Sequence, residues 1–368
     1  MSNLATIPKL TKPSPQLSVR WYFDPKIHEL EQTYLFNHGP NYIGHELMVP
    51  NQGDYFPLRM LDNAKMLVHN EQGIELISNV CRHRQAMIHT EKGNAETLVC
   101  PLHRWTYDMG GKLLGAPRFP SNPCLNLPKT TLQNWRGMLF DSKRNIAKDI
   151  ANLGVTPDLD FSGYVLDKVE VKEYNINWKT FIEVYLEDYH VEPFHPGLSN
   201  FVNCDELKWE YGDWYSVQTV GYTNGTAKTG TPAYDKWQDV VGNYRGGVDP
   251  AHGAIWMVYY PNLMIEWYPH VLVVSNIIPR GPEHSTHITE FYYPQDIAMF
   301  EREFVEAEQK AYTETAIEDD MICARMSEGR RALWRQGLND AGPYQSPMED
   351  GMRHFHEFLW RHVGVHLS

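Results

Sequence analysis

The segments Cys81-Arg82-His83-Arg84 and Cys100-Pro101-Leu102-His103 each supply one thiolate and one imidazole, and 16 residues separate His83 from Cys100. A [2Fe–2S] cluster with two cysteines on one iron and two histidines on the other needs this set of side chains. Two cysteines cannot bind an all-cysteine cluster, and structural zinc sites usually pair like ligands. The other interpretation is two buried cysteines with unrelated histidines, and the two spacings together favour the cluster.

A second candidate metal motif is Glu187-Asp188-Tyr189-His190 with His195, in which two histidines stand five residues apart behind a carboxylate. Two histidines and one carboxylate can hold Fe(II) on one face and leave positions open for O2. Pro193 and Pro196 interrupt a helix here, so the geometry must come from a helix end and the turn after it. The alternative is that both histidines are core residues with satisfied hydrogen bonds.

The third ligand is predicted at Asp319, within Ile317-Glu318-Asp319-Asp320-Met321-Ile322-Cys323. An amphipathic helix is predicted before this segment, from about Ile297 to Thr315. Asp319 and Asp320 then stand at a predicted helix start, where an acidic pair can also be a cap or part of a solvated face. The sequence therefore favours a carboxylate ligand here and leaves the capping interpretation open.

These motifs resemble the α, or terminal oxygenase, subunit of the Rieske non-haem iron oxygenases, also called aromatic-ring-hydroxylating oxygenases. Further similarity lies in Trp135-Arg136-Gly137-Met138-Leu139-Phe140 and in Tyr260-Pro261-Asn262-Leu263-Met264-Ile265. Asp319, four before Cys323, matches the family's Glu/Gln-Asp-x-x-Ile/Leu-Cys pattern. The resemblance covers nearly the whole chain. It implies O2 as co-substrate, one Rieske [2Fe–2S] cluster on Cys81, His83, Cys100 and His103, and one mononuclear Fe(II) on His190, His195 and Asp319.

The implied fold is α+β. Residues 1–38 are predicted as an N-terminal lead and a helix from Pro25 to Phe36. Residues 39–150, with short alternating strands and turns, are predicted as an all-β Rieske domain that carries the cluster loops at hairpin tips. Residues 160–368 are predicted as the catalytic domain for the mononuclear iron, with the family's helix-grip (START/SRPBCC-like) arrangement of an antiparallel sheet wrapped on helices.

The resemblance also implies how the two metals communicate. Members use an acidic residue three before the first iron-binding histidine, which is Glu187 here, and Asp188 is the competing residue. In a ring of three subunits, Glu187 of one chain would join its own His190 to His103 of a neighbour. Val184 replaces the asparagine that many members have in this segment, which removes a polar group near the iron.

Composition agrees with a soluble two-domain enzyme of the cytoplasm. The 368 residues suffice for two cores, and the net charge of −13 argues against nucleic acid as a partner. The five scattered cysteines predict reduced thiols, and neither a signal peptide nor a membrane span is apparent. Because the chain has no ferredoxin loop of its own and no nucleotide-binding glycine fingerprint, a separate NAD(P)H-dependent reductase is expected, with or without a ferredoxin.

The resemblance favours hydroxylation of an aromatic ring of a small organic substrate. The alternative is a monooxygenase or demethylase that acts on a methylated amine or a quaternary ammonium compound. A remote alternative is an electron carrier with a vestigial second domain. Five aromatic residues could cage a cation or could form ordinary sheet core: Trp256, Tyr259, Tyr260, Trp267 and Tyr268.

Overall fold

A computed structural model of the chain describes residues 16–223 and 230–367. Residues 1–15 of the predicted N-terminal lead lie outside this part. Two short helices follow, α1 (Arg20–Phe23) and α2 (Pro25–Glu31), and the second continues as a π-helical turn over Gln32–Phe36. The Asp24 carboxylate accepts a hydrogen bond from the Lys26 amide, which caps α2 at its start. The predicted helix from Pro25 to Phe36 is therefore present.

The first β-rich region contains three small antiparallel sheets, with strand orders β1-β11-β10, β5-β2-β3-β4-β9 and β6-β7-β8. Its core contains the buried side chains of Met66, Val68, Leu98 and Tyr107. The strands are β1 (Tyr42–His45), β2 (Asp54–Pro57), β3 (Lys65–Asn70), β4 (Gly73–Ser78), β5 (Gly93–Asn94), β6 (Thr97–Val99), β7 (Thr106–Asp108), β8 (Leu113–Gly115), β9 (Lys129–Thr130), β10 (Gln133–Trp135) and β11 (Met138–Phe140).

A seven-stranded antiparallel sheet follows, with the strand order β12-β18-β17-β16-β15-β14-β13. Its central strands are buried on both faces, because two separate hydrophobic clusters pack against it. The strands are β12 (Tyr164–Tyr174), β13 (Val202–Tyr211), β14 (Tyr215–Tyr222), β15 (Ala254–Tyr259), β16 (Leu263–Tyr268), β17 (Val271–Gly281) and β18 (His284–Pro294).

The helices pack around this sheet, and the longest of them lies across one face. Phe304, Val305 and Ala311 of α9 share a hydrophobic cluster with the sheet residues Val273 and Phe291, and we call this side the α9 face. The remaining helices are α3 (Ile146–Asp149), α4 (Trp178–Tyr185), α5 (Val191–Phe194), α6 (Leu198–Phe201), α7 (Pro232–Tyr244), α8 (Gln295–Phe300), α9 (Arg302–Arg335) and α10 (Asp350–His362).

One prediction about α9 is wrong. The helix runs without interruption for 34 residues, so Asp319 and Asp320 stand in its middle and not at a helix start. A capping role is therefore excluded for both.

The described part of the chain contains no helix that is long and apolar enough to cross a membrane.

Candidate metal centres and the adjoining cavity

The two candidate cluster loops have the same backbone geometry. In each loop the cysteine amide donates to the carbonyl five residues later, at 2.9 Å for Cys81 and 2.8 Å for Cys100. The cysteine carbonyl accepts from the amide four residues later, Gln85 or Arg104, at 3.1 Å in both loops. These two residues have left-handed backbones, with φ of 56° and 61°. The loops are therefore equivalent turns, although the histidine comes one position later in the second.

The four side chains separate into a buried thiol pair and an outer imidazole pair. Cys81 and Cys100 are each 1% exposed, and burial, together with the Cys81 thiol beside it, raises the pKa of the Cys100 thiol. The rings of His83 and His103 lie 4.7 Å apart, edge to face. Within residues 16–223 and 230–367, no three of these four side chains bring ligand atoms within 4.8 Å of one another. One tetrahedral zinc would need such convergence, whereas a two-iron cluster needs the two separate pairs.

Aromatic side chains surround this set. The Trp105 ring stacks on His83 at 5.0 Å, with planes 5° apart. The Tyr107 hydroxyl accepts from the Arg82 amide at 3.2 Å and lies 3.4 Å from the Cys81 sulfur. His83 Nδ1 is buried and has no hydrogen-bond partner among the described residues. A buried ring nitrogen without a partner is unfavourable, and a metal bond would satisfy it, so the residues fit a Rieske cluster.

The second set comes together from α5 and α9. His190 precedes α5, His195 follows its end, and Asp319 projects from α9. Their ligand atoms all lie within 4.8 Å of one another, as one bound metal ion would require. Asp319 Oδ1 is 3.1 Å from His195 Nε2 and 3.5 Å from His190 Nε2. Both Nε2 atoms and the carboxylate therefore point to one place.

Two further carboxylates lie beside the Nδ1 atoms of the two histidines. Glu187 Oε1 is 2.5 Å from His190 Nδ1, and Glu187 Oε2 accepts from the His190 amide at 3.0 Å. Glu318 Oε2 is 2.7 Å from His195 Nδ1. Carboxylates in this position fix the orientation and tautomer of metal-binding histidines. Our sequence analysis gave Glu318 no role, although its place directly before Asp319 was a usable signal.

The electrostatics of this set favour a positive charge. Burial works to lower the pKa of His190, but the carboxylates of Asp319 and Glu187 outweigh it and raise this pKa to about 10. Burial works to raise the pKa of Asp319, and its contacts with the two histidines lower it instead. A metal cation would meet the same attraction, so the donor set and its charge both fit an iron ion.

The competing carboxylates point elsewhere. Asp320 pairs with Lys172 and accepts a hydrogen bond from Tyr174, so it does not face the histidines. Asp188 is 2% exposed and contacts the Cys204 thiol, and burial raises its pKa to about 7. Of the two neighbours Glu187 and Asp188, only Glu187 touches the His190 ring in this structure.

A cavity of about 160 Å³ accessible to water opens beside the three candidate ligands. Of the five aromatic residues that sequence analysis left open, Trp256 and Tyr268 line it, whereas Tyr259, Tyr260 and Trp267 pack in the cluster on the opposite face of the sheet. The core interpretation is confirmed for these three residues, and a cation cage at Trp256 and Tyr268 stays a prediction.

The cavity also contains Glu266, a carboxylate that sequence analysis missed. It is 4% exposed, and burial raises its pKa to about 7. Its oxygens accept hydrogen bonds from the hydroxyls of Tyr268 at 2.7 Å and Tyr312 at 3.1 Å. The Trp256 indole N–H donates to the Tyr268 hydroxyl at 2.9 Å, which orients that tyrosine.

Comparison with protein families gives two matches along the chain. Residues 40–132 match the Rieske [2Fe–2S] domain, and residues 160–364 match the catalytic domain of the ring-hydroxylating α subunit. The order and positions of these two matches agree with the two sets of candidate ligands described above.

Similar proteins include two enzymes named putrescine 2-hydroxylase. The one from Ralstonia nicotianae is 58% identical over 98% of this chain and 99% of its own length. The one from Bordetella bronchiseptica is 49% identical over 99% of this chain and 88% of its own length. Among solved structures, a quaternary ammonium Rieske monooxygenase superposes with a TM-score of 0.73 at 16% identity, covering 95% of this chain and 96% of its own. At that identity the likeness concerns the fold.

Proposed function

Because the chain belongs to the ring-hydroxylating α-subunit family of Rieske oxygenases, we propose that it hydroxylates a small aliphatic amine, with putrescine as the leading candidate. The membership itself confirms the predicted family, the α+β fold class, the oxygenase chemistry and the cofactors, which are one Rieske [2Fe–2S] cluster, one mononuclear iron and O2 as co-substrate. The proposal concerns the substrate and the residues that act.

The observation that carries the proposal is the acidity of the cavity. The described lining residues include one lysine, Lys172, and no arginine. Of the five carboxylates that line the cavity, four have partners or lie in the candidate ligand segment, and Glu266 alone is left without a cationic partner in the described part of the chain. Such a cavity attracts cations and disfavours a hydrocarbon ring, because a buried carboxylate needs a polar or cationic partner. The relatives at 58% and 49% identity carry the name of a diamine hydroxylase. Both points favour the amine alternative over the aromatic ring that the sequence resemblance favoured.

We assign the cluster to Cys81, His83, Cys100 and His103, and the mononuclear iron to His190, His195 and Asp319. When bound, the two metals together activate O2 with electrons that arrive singly through the cluster. The surrounding residues position the candidate ligands and shape the cavity. The Glu318 carboxylate orients the His195 ring through Nδ1, the Glu187 carboxylate lies beside Nδ1 of His190, and aromatic side chains line the cavity.

We further propose that Glu187 links two subunits of a homotrimer, or of a multiple of trimers. The support is its position three residues before His190 and its contact with that ring. His103 lies at an exposed loop tip, where a neighbouring chain can reach it. The electrons would come from a separate NAD(P)H-dependent reductase, since hydroxylation of a C–H bond consumes two electrons and two protons and releases the second oxygen atom as water.

The test uses purified enzyme with a surrogate reductase, NADH and O2. Putrescine should stimulate O2 uptake and give a product that has gained one oxygen atom by mass spectrometry, labelled when ¹⁸O2 is supplied. The His195→Ala variant should retain a reducible cluster and form no product, because the two sites share no ligand. Turnover of indole or benzoate with putrescine inert would refute the amine, and turnover of choline alone would replace it with a quaternary ammonium. An iron content of two per chain with no turnover would indicate an electron carrier.

A further inference from the structure

Glu266 stands in a row of side chains that crosses the central strands. Gln218 of β14 pairs with Trp256 of β15, and Trp256 pairs with Glu266 of β16, so the three share one face of the sheet. Because Glu266 pairs on its other side with Val273, this is the α9 face, which forms a wall of the cavity. A charged residue in the interior of a sheet that is covered on both faces needs a compensating partner.

The other carboxylates of the cavity already have partners or lie in the ligand segment. Glu170 pairs with Lys168, and Glu187 and Asp319 contact the candidate iron-binding histidines. Asp188 lies between Glu187 and His190, and its two buried oxygens lack hydrogen-bond partners in the described part of the chain, so the experiment below includes it as the competing residue. Glu266 has no cationic partner among the described residues, and its hydrogen bonds come from two neutral hydroxyls.

We propose that Glu266 binds a protonated primary amine of the substrate, which fixes the distance from the ammonium group to the reacting carbon. This inference rests on the proposed function, since it assumes an amine substrate. Each Glu266 oxygen accepts one tyrosine hydroxyl and keeps a lone pair for an ammonium N–H. The residue is a binding and specificity residue and takes no part in the transfer of oxygen.

Two other polar atoms of the cavity favour a primary amine over a quaternary ammonium group. Gln218 Oε1 and the Tyr185 hydroxyl are buried, line the same cavity and lack hydrogen-bond partners in the described part of the chain. A primary ammonium group carries three N–H donors and can satisfy such acceptors, whereas a quaternary ammonium group carries none. The side chains of Trp256, Tyr268 and Tyr312 also line the cavity, and aromatic rings attract either kind of cation.

The charge balance of the cavity supports the same assignment. Burial raises the pKa of Glu266 to about 7, with the nearby Asp319 charge acting in the same direction. A bound ammonium group would stabilise the carboxylate form and offset that burial. Burial raises the pKa of the Tyr185 hydroxyl, and the Glu266 charge raises it further, so the two groups are close enough to interact electrostatically.

The experiment compares Glu266→Gln with a matched control, Glu290→Gln. Glu290 is 1% exposed, accepts hydrogen bonds from Tyr42 and Tyr292, and has a pKa that burial raises to about 7. It belongs to β18, where its neighbour Phe291 faces α9, so Glu290 faces the other side of the sheet and lies outside the cavity. The two variants therefore make the same chemical change at the same depth.

Binding is measured by calorimetry on iron-loaded enzyme without O2, with putrescine and with 1,4-butanediol as its uncharged analogue. Glu266→Gln should weaken putrescine binding roughly 10- to 100-fold, as expected when a charged hydrogen-bond partner becomes neutral. Its effect on butanediol should be within about twofold. Glu290→Gln should leave the dissociation constants of both compounds unchanged. Iron content and the cluster spectrum, measured on each variant, report whether the fold is intact.

A second variant covers the case in which Glu266→Gln does not fold. Glu266→Asp keeps the charge but withdraws it by one methylene, so the ratio of cadaverine to putrescine affinity should rise. Equal putrescine affinity in wild type and Glu266→Gln, or a loss confined to Asp188→Asn, would overturn the inference and leave the amine oxygenase standing. A wild-type enzyme that neither binds nor oxidises any primary amine would remove the proposed function, and the inference with it.

Discussion

Neutralising Glu318 should weaken the binding of the mononuclear iron and leave the cluster unchanged. The change Glu318→Gln keeps the size of the side chain and removes its negative charge. Glu318 Oε2 lies 2.7 Å from Nδ1 of His195, whose side chain is 1% exposed, so bulk water cannot replace the lost contact easily. In the variant His195 loses the charge that fixes its tautomer and makes its Nε2 a stronger donor to a metal.

The magnitude follows from the kind of hydrogen bond that changes. A bond to a charged group contributes about 1–2 kcal/mol more than a neutral one. This difference corresponds to roughly a 5- to 30-fold loss in the equilibrium constant for iron binding. Losses of about 10- to 100-fold are usual when such partners of metal ligands are changed, so the two estimates overlap.

The assay is anaerobic competition for Fe(II) between the enzyme and a chelator of known affinity. The control is Glu306→Gln on the same helix, where the glutamate side chain is 70% exposed and pairs with Arg302 one turn away. The control should bind iron as the wild type does, and both variants should keep the cluster absorption. Iron affinity of Glu318→Gln within about twofold of wild type would show that Glu318 does not support His195, and would refute the reasoning.

Three further predictions follow from individual contacts. Asp319→Ala should abolish amine-dependent O2 uptake and lower the iron content, because Asp319 contacts His195. Asp320→Ala should retain most activity, because the Asp320 carboxylate pairs with Lys172. The reverse result would make Asp320 the third ligand. Glu187→Gln should keep both metals but oxidise a pre-reduced cluster more slowly in a single turnover. If the cluster is oxidised at the normal rate in Glu187→Gln and slowly in Asp188→Asn, the linking residue is Asp188. Glu183 should stabilise the fold in a pH-dependent manner. Burial opposes the ionisation of Glu183, but Arg330 and His356 outweigh it and lower the pKa of Glu183 from 4.5 to about 2. The stabilisation is therefore fully present above pH 4.5 and disappears as the pH falls towards 2. The change amounts to about 3 kcal/mol, and urea unfolding should show that Glu183→Gln loses this dependence, whereas parallel curves for the two proteins would contradict it.

The candidate cluster loops and the candidate iron-binding histidines could be proposed from the sequence, because each lies in a short stretch whose local turns bring the side chains together. Cys81 and His83 share one loop, and His190 and His195 flank one short helix. The proposed third ligand, Asp319, comes from a helix elsewhere in the chain, and the prediction that it stands at a helix start was wrong. α9 buries apolar residues in its first turns, such as Phe304 and Ala311, and the pattern then weakens. The apolar pattern weakens because the continuous helix passes from the hydrophobic core to the candidate metal site, and not because a new helix begins there.

Glu266 shows what pairing across strands adds to a sequence pattern. Alternation along β16 already separates Ile265 and Trp267 from Glu266 and Tyr268, so a period of two places the glutamate and one tyrosine on a common face. The alternation does not predict that Trp256 lies opposite Glu266, or that Tyr312 of α9 donates to Glu266. Both depend on strand register and helix packing, which residues far apart in the sequence determine. A usable signal was nevertheless present. A single glutamate inside an otherwise apolar strand needs a partner when both faces of the sheet are buried. Here the structure provides aromatic neighbours and two hydroxyl donors, and no cationic side chain among the described residues pairs with Glu266. The partner that this arrangement lacks is the one that an amine substrate would bring.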